Sequence, residues 1–115
     1  NIDLIYEYRI KKKAKIIKKI NQERIPYDLI GIRIIYNDKN NLYNKEYAYK
    51  LKQIIEENYL TIDSLQDDYI KNPKKNNYQS MHIYIFFIFL IEIQIRSSYM
   101  NYIAVNGTAS DYYIN

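Results

Sequence analysis

The chain contains no cysteine and no tryptophan, one histidine, two glycines and two prolines in 115 residues. Without cysteine there is no disulfide and no thiolate metal site, which fits a reducing compartment. No stretch is apolar enough to span a bilayer. The longest apolar run, residues 83–91, is flanked by His82 and Glu92 and falls well short of the roughly 20 residues a spanning helix needs. Neither a repeat nor a linker is visible, and the length suits one small domain over residues 1–115 with a single core. The first residue is Asn1 rather than Met, so the chain is expected to be a piece of a longer one. No signal or transit segment can be judged on such a piece.

Ile, Asn, Lys and Tyr are used heavily in place of the scarce types, in the manner of a genome-wide compositional bias. Any single Lys, Asn or Tyr therefore carries less information than usual. The net charge of +4 is modest but unevenly placed. Arg9, Lys11, Lys12, Lys13, Lys15, Lys18 and Lys19 crowd into one short segment, which calls for an anionic partner or a solvated face.

Hydrophobic periodicity predicts alternating elements. A strand over residues 4–10 leads into a helix over 12–23, with Ile16, Ile17 and Ile20 on its apolar side and Lys11, Lys15, Lys18 and Lys19 on another. Residues 29–36 read as a strand, 43–57 as a helix with Tyr47, Leu51, Ile54 and Ile55 as its buried stripe, and 59–62 as a short strand. Two further strands, 81–87 and 91–95, precede a closing helix over 97–105. The turn between those strands, at residues 87–90, has none of the Gly, Pro or Asn that turns prefer. Strands alternating with helices, plus one hairpin, predict an α/β domain with a mixed β-sheet flanked by helices.

The segment from Asp68 to His82 carries most of the chemistry. Pro73 and the Asn76–Asn77 pair mark it as a loop. It offers ammonium groups to phosphate, amide edges to a base and an aromatic ring to stack on it, which is the inventory of a nucleotide site. Its order, DYIxNPKxNxYQSxH, followed by EIQIR at residues 92–96, resembles the synthetase domain of the RelA/SpoT family, the (p)ppGpp synthetases. Arg9-Ile10-Lys11 with Lys19 resembles that family's RxK…K segment, and residues 28–33 resemble its DLIGIR strand. The four motifs stand in the family's order from Arg9 to about Gly107. The resemblance implies a nucleotidyltransferase-like mixed sheet. It also implies transfer of pyrophosphate from ATP to the 3′-hydroxyl of GTP or GDP, with release of AMP.

Asp28 and Glu92 each stand near the start of a strand. If those strands are neighbours, the two carboxylates converge, and Mg²⁺ is commonly held by one or two carboxylates plus substrate phosphates. The plainer alternative is that Asp28 caps a strand end and Glu92 pairs with Arg33 or Arg96. By resemblance, Asp28 is a metal ligand and Glu92 a second ligand or the base beside the attacking hydroxyl, with Mg²⁺ (or Mn²⁺) as cofactor. Resemblance assigns Arg9, Lys11 and Lys19 to ATP, leaving Lys12, Lys13 and Lys18 as a solvated face. It assigns Lys74, Asn76, Tyr78, Gln79, Ser80 and His82 to the guanine nucleotide, with Tyr78 as the stacking ring and Asp68, Gln94 and Arg96 in support. A membrane or a nucleic acid is not required, while an oligomer or flanking domains would be compatible. The compartment would be the cytoplasm in a bacterium or a plastid in a eukaryote.

Departures from the family pattern are specific. Lys15 stands where the family usually has Ser, and Asn77 where it usually has Gly. Asn is the non-glycine residue most at ease at positive φ. Asp67 brings the chain nearer the acidic pattern of synthesis-only members, though Leu65 breaks that pattern. The closing segment keeps Met100, Ala104, Gly107 and Ala109 but has Asn101, Val105, Asp111 and Tyr112 at other family positions. Two other readings remain: a pseudo-enzyme that binds guanine nucleotides without transfer, and a basic module that binds RNA through the Arg9–Lys19 face with stacking tyrosines.

Overall fold

Period-2 alternation of Ile with polar residues builds most of this structure, a computed structural model that describes residues 3–10, 30–38, 44–87 and 89–107. In chain order the described elements are β1 (Leu4–Ile10), β2 (Ile30–Tyr36), helix α1 (Glu46–Asn58), β3 (Leu60–Thr61), a single 3₁₀ turn (Asp63–Leu65), β4 (Asp67–Asp68), β5 (Met81–Phe87), β6 (Phe89–Ser97) and helix α2 (Ser98–Asn106). The sheet runs β1-β2-β6-β5-β3, with β4 also paired to β5. β2 and β6 are parallel and the other pairs antiparallel. This is the mixed sheet with flanking helices that the sequence predicts. The predicted helix over residues 12–23 lies outside the described residues.

Alternation sorts the strands into two faces. Ile83, Ile85, Ile91, Ile93 and Ile95 join Tyr36 and Met81 in the core, where Ala48 and Ile55 of α1 and Met100 of α2 close over them. Four of the predicted helix positions were Tyr47, Leu51, Ile54 and Ile55. Tyr47 and Leu51 pack on the core and Ile55 is buried, but Ile54 is 56% exposed. Neighbouring residues point about 100° apart on a helix, so Ile54 and Ile55 cannot both face the sheet, and the four-residue spacing of 47, 51 and 55 wins.

Ends and turns follow local chemistry. The Ser97 hydroxyl accepts from the Met100 amide at 3.1 Å, capping α2. Asp38, just beyond β2, accepts from the Tyr99 amide at 3.2 Å and from the Ser98 hydroxyl. The end of one parallel strand thus holds the helix that follows the other. The motif segment is less of a loop than its composition suggests. Asp68 belongs to β4, whose partner is β5, and His82 lies within β5. Asp68 Oδ1 accepts from the amides of Ile70 and Lys71 at 3.0 and 2.9 Å, and its Oδ2 accepts from Tyr49 of α1 at 2.6 Å. Asn77 has φ 68°, and its amide donates to the Lys74 carbonyl at 2.9 Å. β5 and β6 stay paired up to Phe87 and Phe89, so Phe87, Phe89 and Leu90 of the expected turn belong to the strands.

Candidate functional site

The second face of the sheet is polar, and its centre is buried. On β6, Glu92, Gln94 and Arg96 alternate with the core isoleucines and are 4%, 7% and 1% exposed. Such burial is unusual for charged residues unless they are paired and hydrogen-bonded. Register explains how they are matched. Arg9, Gly31, Glu92 and Tyr84 form one row across β1, β2, β6 and β5, while Glu7, Arg33, Gln94 and His82 form the next.

Glu92 is the hub of the first row. Its Oε1 accepts from Arg9 Nη2 at 3.2 Å and Gln94 Nε2 at 3.0 Å, and its Oε2 accepts from the Tyr84 hydroxyl at 2.9 Å. Gly31 makes the Arg9 contact geometrically easy. A Cβ there would stand 3.0 Å from Arg9 Nε and 3.1 Å from its Cγ, so the missing side chain is the groove in which Arg9 lies. Neither pairing weighed from sequence occurs, because Arg9 rather than Arg33 or Arg96 takes the carboxylate. Glu7, Arg9, Gly31, Arg33, Glu92 and Gln94 line a shallow depression open to solvent.

In the second row, Arg33 donates from Nη1 to Glu7 at 2.9 Å and from Nε to Gln94 Oε1 at 3.2 Å. Burial, followed by the charge of Arg96, lowers its pKa to about 10, with Glu7 opposing the shift. It therefore stays cationic at neutral pH. Arg96 donates to Tyr78 Oη at 2.6 Å, Gln94 Oε1 at 3.1 Å, Ser80 Oγ at 3.3 Å and Asn101 Oδ1 at 3.3 Å.

His82 Nε2 lies 2.8 Å from Tyr78 Oη, which also accepts from Arg96, and its Nδ1 lies 3.8 Å from Glu92 Oε2. Burial lowers the His82 pKa to about 4, Glu92 opposing and Arg96 adding to the shift. At neutral pH this contact is therefore between a carboxylate and a neutral ring.

Several sequence-predicted residues thus meet at one place: Arg9, Glu92, Gln94, His82, Tyr78, Ser80 and Arg96. Tyr78 was expected as the stacking ring, yet it is 0% exposed. The Arg96 guanidinium sits 4.9 Å from its ring centroid, and Tyr69 and His82 meet it edge-on at 6.0 and 5.8 Å. Ser80 is equally buried, its hydroxyl donating to the Ile95 carbonyl at 3.4 Å. Asn76 accepts from the Tyr78 amide at 3.2 Å, and Gln79 donates to the Ile70 carbonyl at 3.3 Å. Lys74 lies over the Tyr69 ring at 4.7 Å. Asp68 holds a turn and a helix hydroxyl. Lys11, Lys19 and Asp28 lie outside the described residues, and so does any approach of Asp28 to Glu92. Sequence reasoning missed Tyr84 and Glu7 and gave Arg33 only a structural part. Alternation along β1 and β5, counted from Arg9 and His82, would have placed Glu7 and Tyr84 on this face.

Among the described residues, no group of three His, Asp or Glu side chains could hold a metal alone. Glu92 offers one carboxylate, with a single hydrogen bond on Oε2. That donor set fits Mg²⁺ when substrate phosphates and a second carboxylate complete it.

The family described as "Region found in RelA / SpoT proteins" matches residues 8–114. The chain is 36% identical over 87 residues to a guanosine-3′,5′-bis(diphosphate) 3′-pyrophosphohydrolase of Borreliella burgdorferi, covering 73% of the chain and 12% of that protein. To a chloroplastic GTP diphosphokinase of Oryza sativa it is 28% identical over 115 residues, covering 91% of the chain and 20% of the relative. Its fold is similar to that of small alarmone synthetase 1 from Bacillus subtilis bound to its product pppGpp. There the TM-score is 0.72 at 24% identity, covering 98% of the chain and 63% of the synthetase. The chain thus spans about a tenth to a fifth of the length of these curated relatives.

Proposed function

The chain belongs to the RelA/SpoT family, and from that premise we propose that it makes (p)ppGpp from ATP and GTP or GDP. The observation that supports this most is the position of Glu92. It lies between Arg9, the cation expected on the ATP side, and His82, expected on the acceptor side, at 3.2 and 3.8 Å. A carboxylate between donor and acceptor nucleotides is where a proton must leave the attacking hydroxyl. The O3′–Pβ bond forms, the bond from Pβ to the bridging α,β-oxygen breaks, and AMP departs with that oxygen while Glu92 accepts the O3′ proton. Arg9 and Arg33 offer guanidinium groups to the ATP in the open depression, with Lys11 and Lys19 as further cations from the motif. The segment carrying Lys74, Asn76, Tyr78 and Gln79 receives the guanine nucleotide, and His82, neutral at pH 7, presents an uncharged ring on the acceptor side. Mg²⁺ would be held by Glu92, Asp28 and the triphosphate, supplying charge neutralisation to the transferred group. Phosphoryl transfers depend mainly on positioning and electrostatics, which suits a site of fixed cations around one carboxylate.

Incubation with labelled ATP, GDP or GTP and Mg²⁺ tests the proposal. The expected result is a guanosine tetra- or pentaphosphate together with AMP. Binding of guanine nucleotide without AMP release above background, with Mg²⁺ or Mn²⁺ and both substrates saturating, would replace the synthetase with a pseudo-enzyme.

A further inference from the structure

We infer that Tyr84 is a positioning residue for Glu92, an assignment that rests on Glu92 being the carboxylate beside the reacting atoms. The two residues are direct cross-strand partners on β5 and β6, and the phenol donates to Oε2 at 2.9 Å. Glu92 Oε1 already accepts two hydrogen bonds, from Arg9 and Gln94. A carboxylate oxygen has about two lone-pair positions, so Oε1 is filled. Oε2 accepts one, from Tyr84. Its second lone pair is where Glu92 can take a proton or meet a cation.

The terminal torsion of Glu is broad and roughly two-fold, so nothing intrinsic keeps Oε2 rather than Oε1 in the reactive place. Donors on both oxygens do. Arg9 and Gln94 hold one side of the carboxylate and Tyr84 the other, each from a strand fixed in register. Tyr84 is suited to this by its charge as well as its reach. A neutral phenol orients the carboxylate without cancelling its charge, as a second cation would. The bulky side chain costs little space, because Tyr84 lies on the half-open polar face rather than in the core.

The test is Tyr84→Phe, which keeps the ring and removes only the donor. Outer partners of metal-binding carboxylates typically contribute roughly 10–100-fold to affinity or activity. With ATP and GDP, kcat for AMP release should fall by about tenfold or more, with KM for each nucleotide changed by less than about twofold. In parallel, Mn²⁺ affinity in the presence of α,β-methylene-ATP, read from the electron paramagnetic resonance of free Mn²⁺, should weaken by about tenfold. A loss of rate carried by KM, or unchanged Mn²⁺ affinity in the variant, overturns the assignment, as does a parent chain that binds no Mn²⁺ with the analogue. A parent that binds Mn²⁺ but releases no AMP defeats the transfer reaction alone, and the Mn²⁺ comparison then decides Tyr84.

Discussion

The two faces of this sheet use the same strands, the same alternation and nearly the same degree of burial, yet they do different work. Beneath the helices, Ile83, Ile93 and Ile95 are buried and are held by contact alone. On the opposite face Glu92, Gln94 and Arg96 are buried to a similar degree, but each is held by named donors and acceptors. One face tolerates a change of shape better than a change of polarity. The other depends on individual hydrogen atoms. A buried polar row costs desolvation that an apolar row does not, so its presence in the central strand argues for chemistry rather than stability.

The comparison breaks most sharply at Glu92. Glu92→Gln keeps the volume and removes the charge, and AMP release should fall by roughly 10²–10⁴-fold, the usual contribution of a general base. Its midpoint of urea unfolding should stay close to that of the parent, because the amide oxygen can still accept from Arg9 and Gln94 while the amide NH₂ donates to the Tyr84 hydroxyl, which turns to accept. If both activity and stability collapsed together, Glu92 would be a structural anchor and the two faces would not differ in kind.

Ile95→Ala tests the other face. Ile95 is 0% exposed within the main cluster, and such truncations typically cost about 2–5 kcal/mol. The loss should appear in the urea midpoint, while KM for ATP in the folded fraction should be unchanged. A large change in KM at unchanged stability would show that the core face also shapes the site.

How much of this contrast could be read from the chain alone depends on the element. The alternation FLIEIQIRS in β6 announces a strand with two unlike faces, and register then sets Arg9 and Glu92 in one row and His82 in the next. Alternation by itself reads as one face wet, however, and the burial of Glu92 and Arg96 comes from neighbours far away in sequence. Tyr78 shows the same limit. Its motif marks it as functional, but the Arg96–Tyr78–His82 chain of hydrogen bonds that buries it forms across two strands. Asn77 was legible because the requirement is local: positive φ without glycine favours Asn. The stripe on α1 was legible except at Ile54, where apolar composition obscured the helical period.

His82 offers a smaller effect with a definite sign. Its folded pKa is lowered to about 4 by burial, against an ordinary value of 6.5. Between those values the unfolded chain binds a proton that the folded chain does not, so stability falls as pH drops from about 6.5 towards 4. Below that range this contribution is constant. The slope attributable to one such group approaches about 1.4 kcal/mol per pH unit. Comparing urea midpoints of the parent and His82→Asn at several pH values separates it from the carboxylates common to both. A pH-independent difference between the two proteins would mean that folding leaves the His82 pKa at its ordinary value.

The smallest expected effect lies at the groove for Arg9. A Cβ at Gly31 would stand 3.0 Å from Arg9 Nε and 3.1 Å from Arg9 Cγ, closer than such contacts usually come. Those atoms belong to a side chain that is 46% exposed, so Arg9 can lift away at little cost in stability. In Gly31→Ala the fold should therefore persist, and the alanine should even restrict the unfolded chain, worth about 0.4–1 kcal/mol where the backbone is compatible. What should suffer is the contact of Arg9 with Glu92, felt as a rise in KM for ATP of a few-fold, roughly the effect of losing one half-exposed ion pair worth about 1 kcal/mol. Arg9→Ala should raise KM at least as much, and the double variant no further, because both changes remove the same contact. Additive effects in the double variant would show that Gly31 serves the backbone or the nucleotide directly, and that the row from Arg9 to Tyr84 is not a single unit.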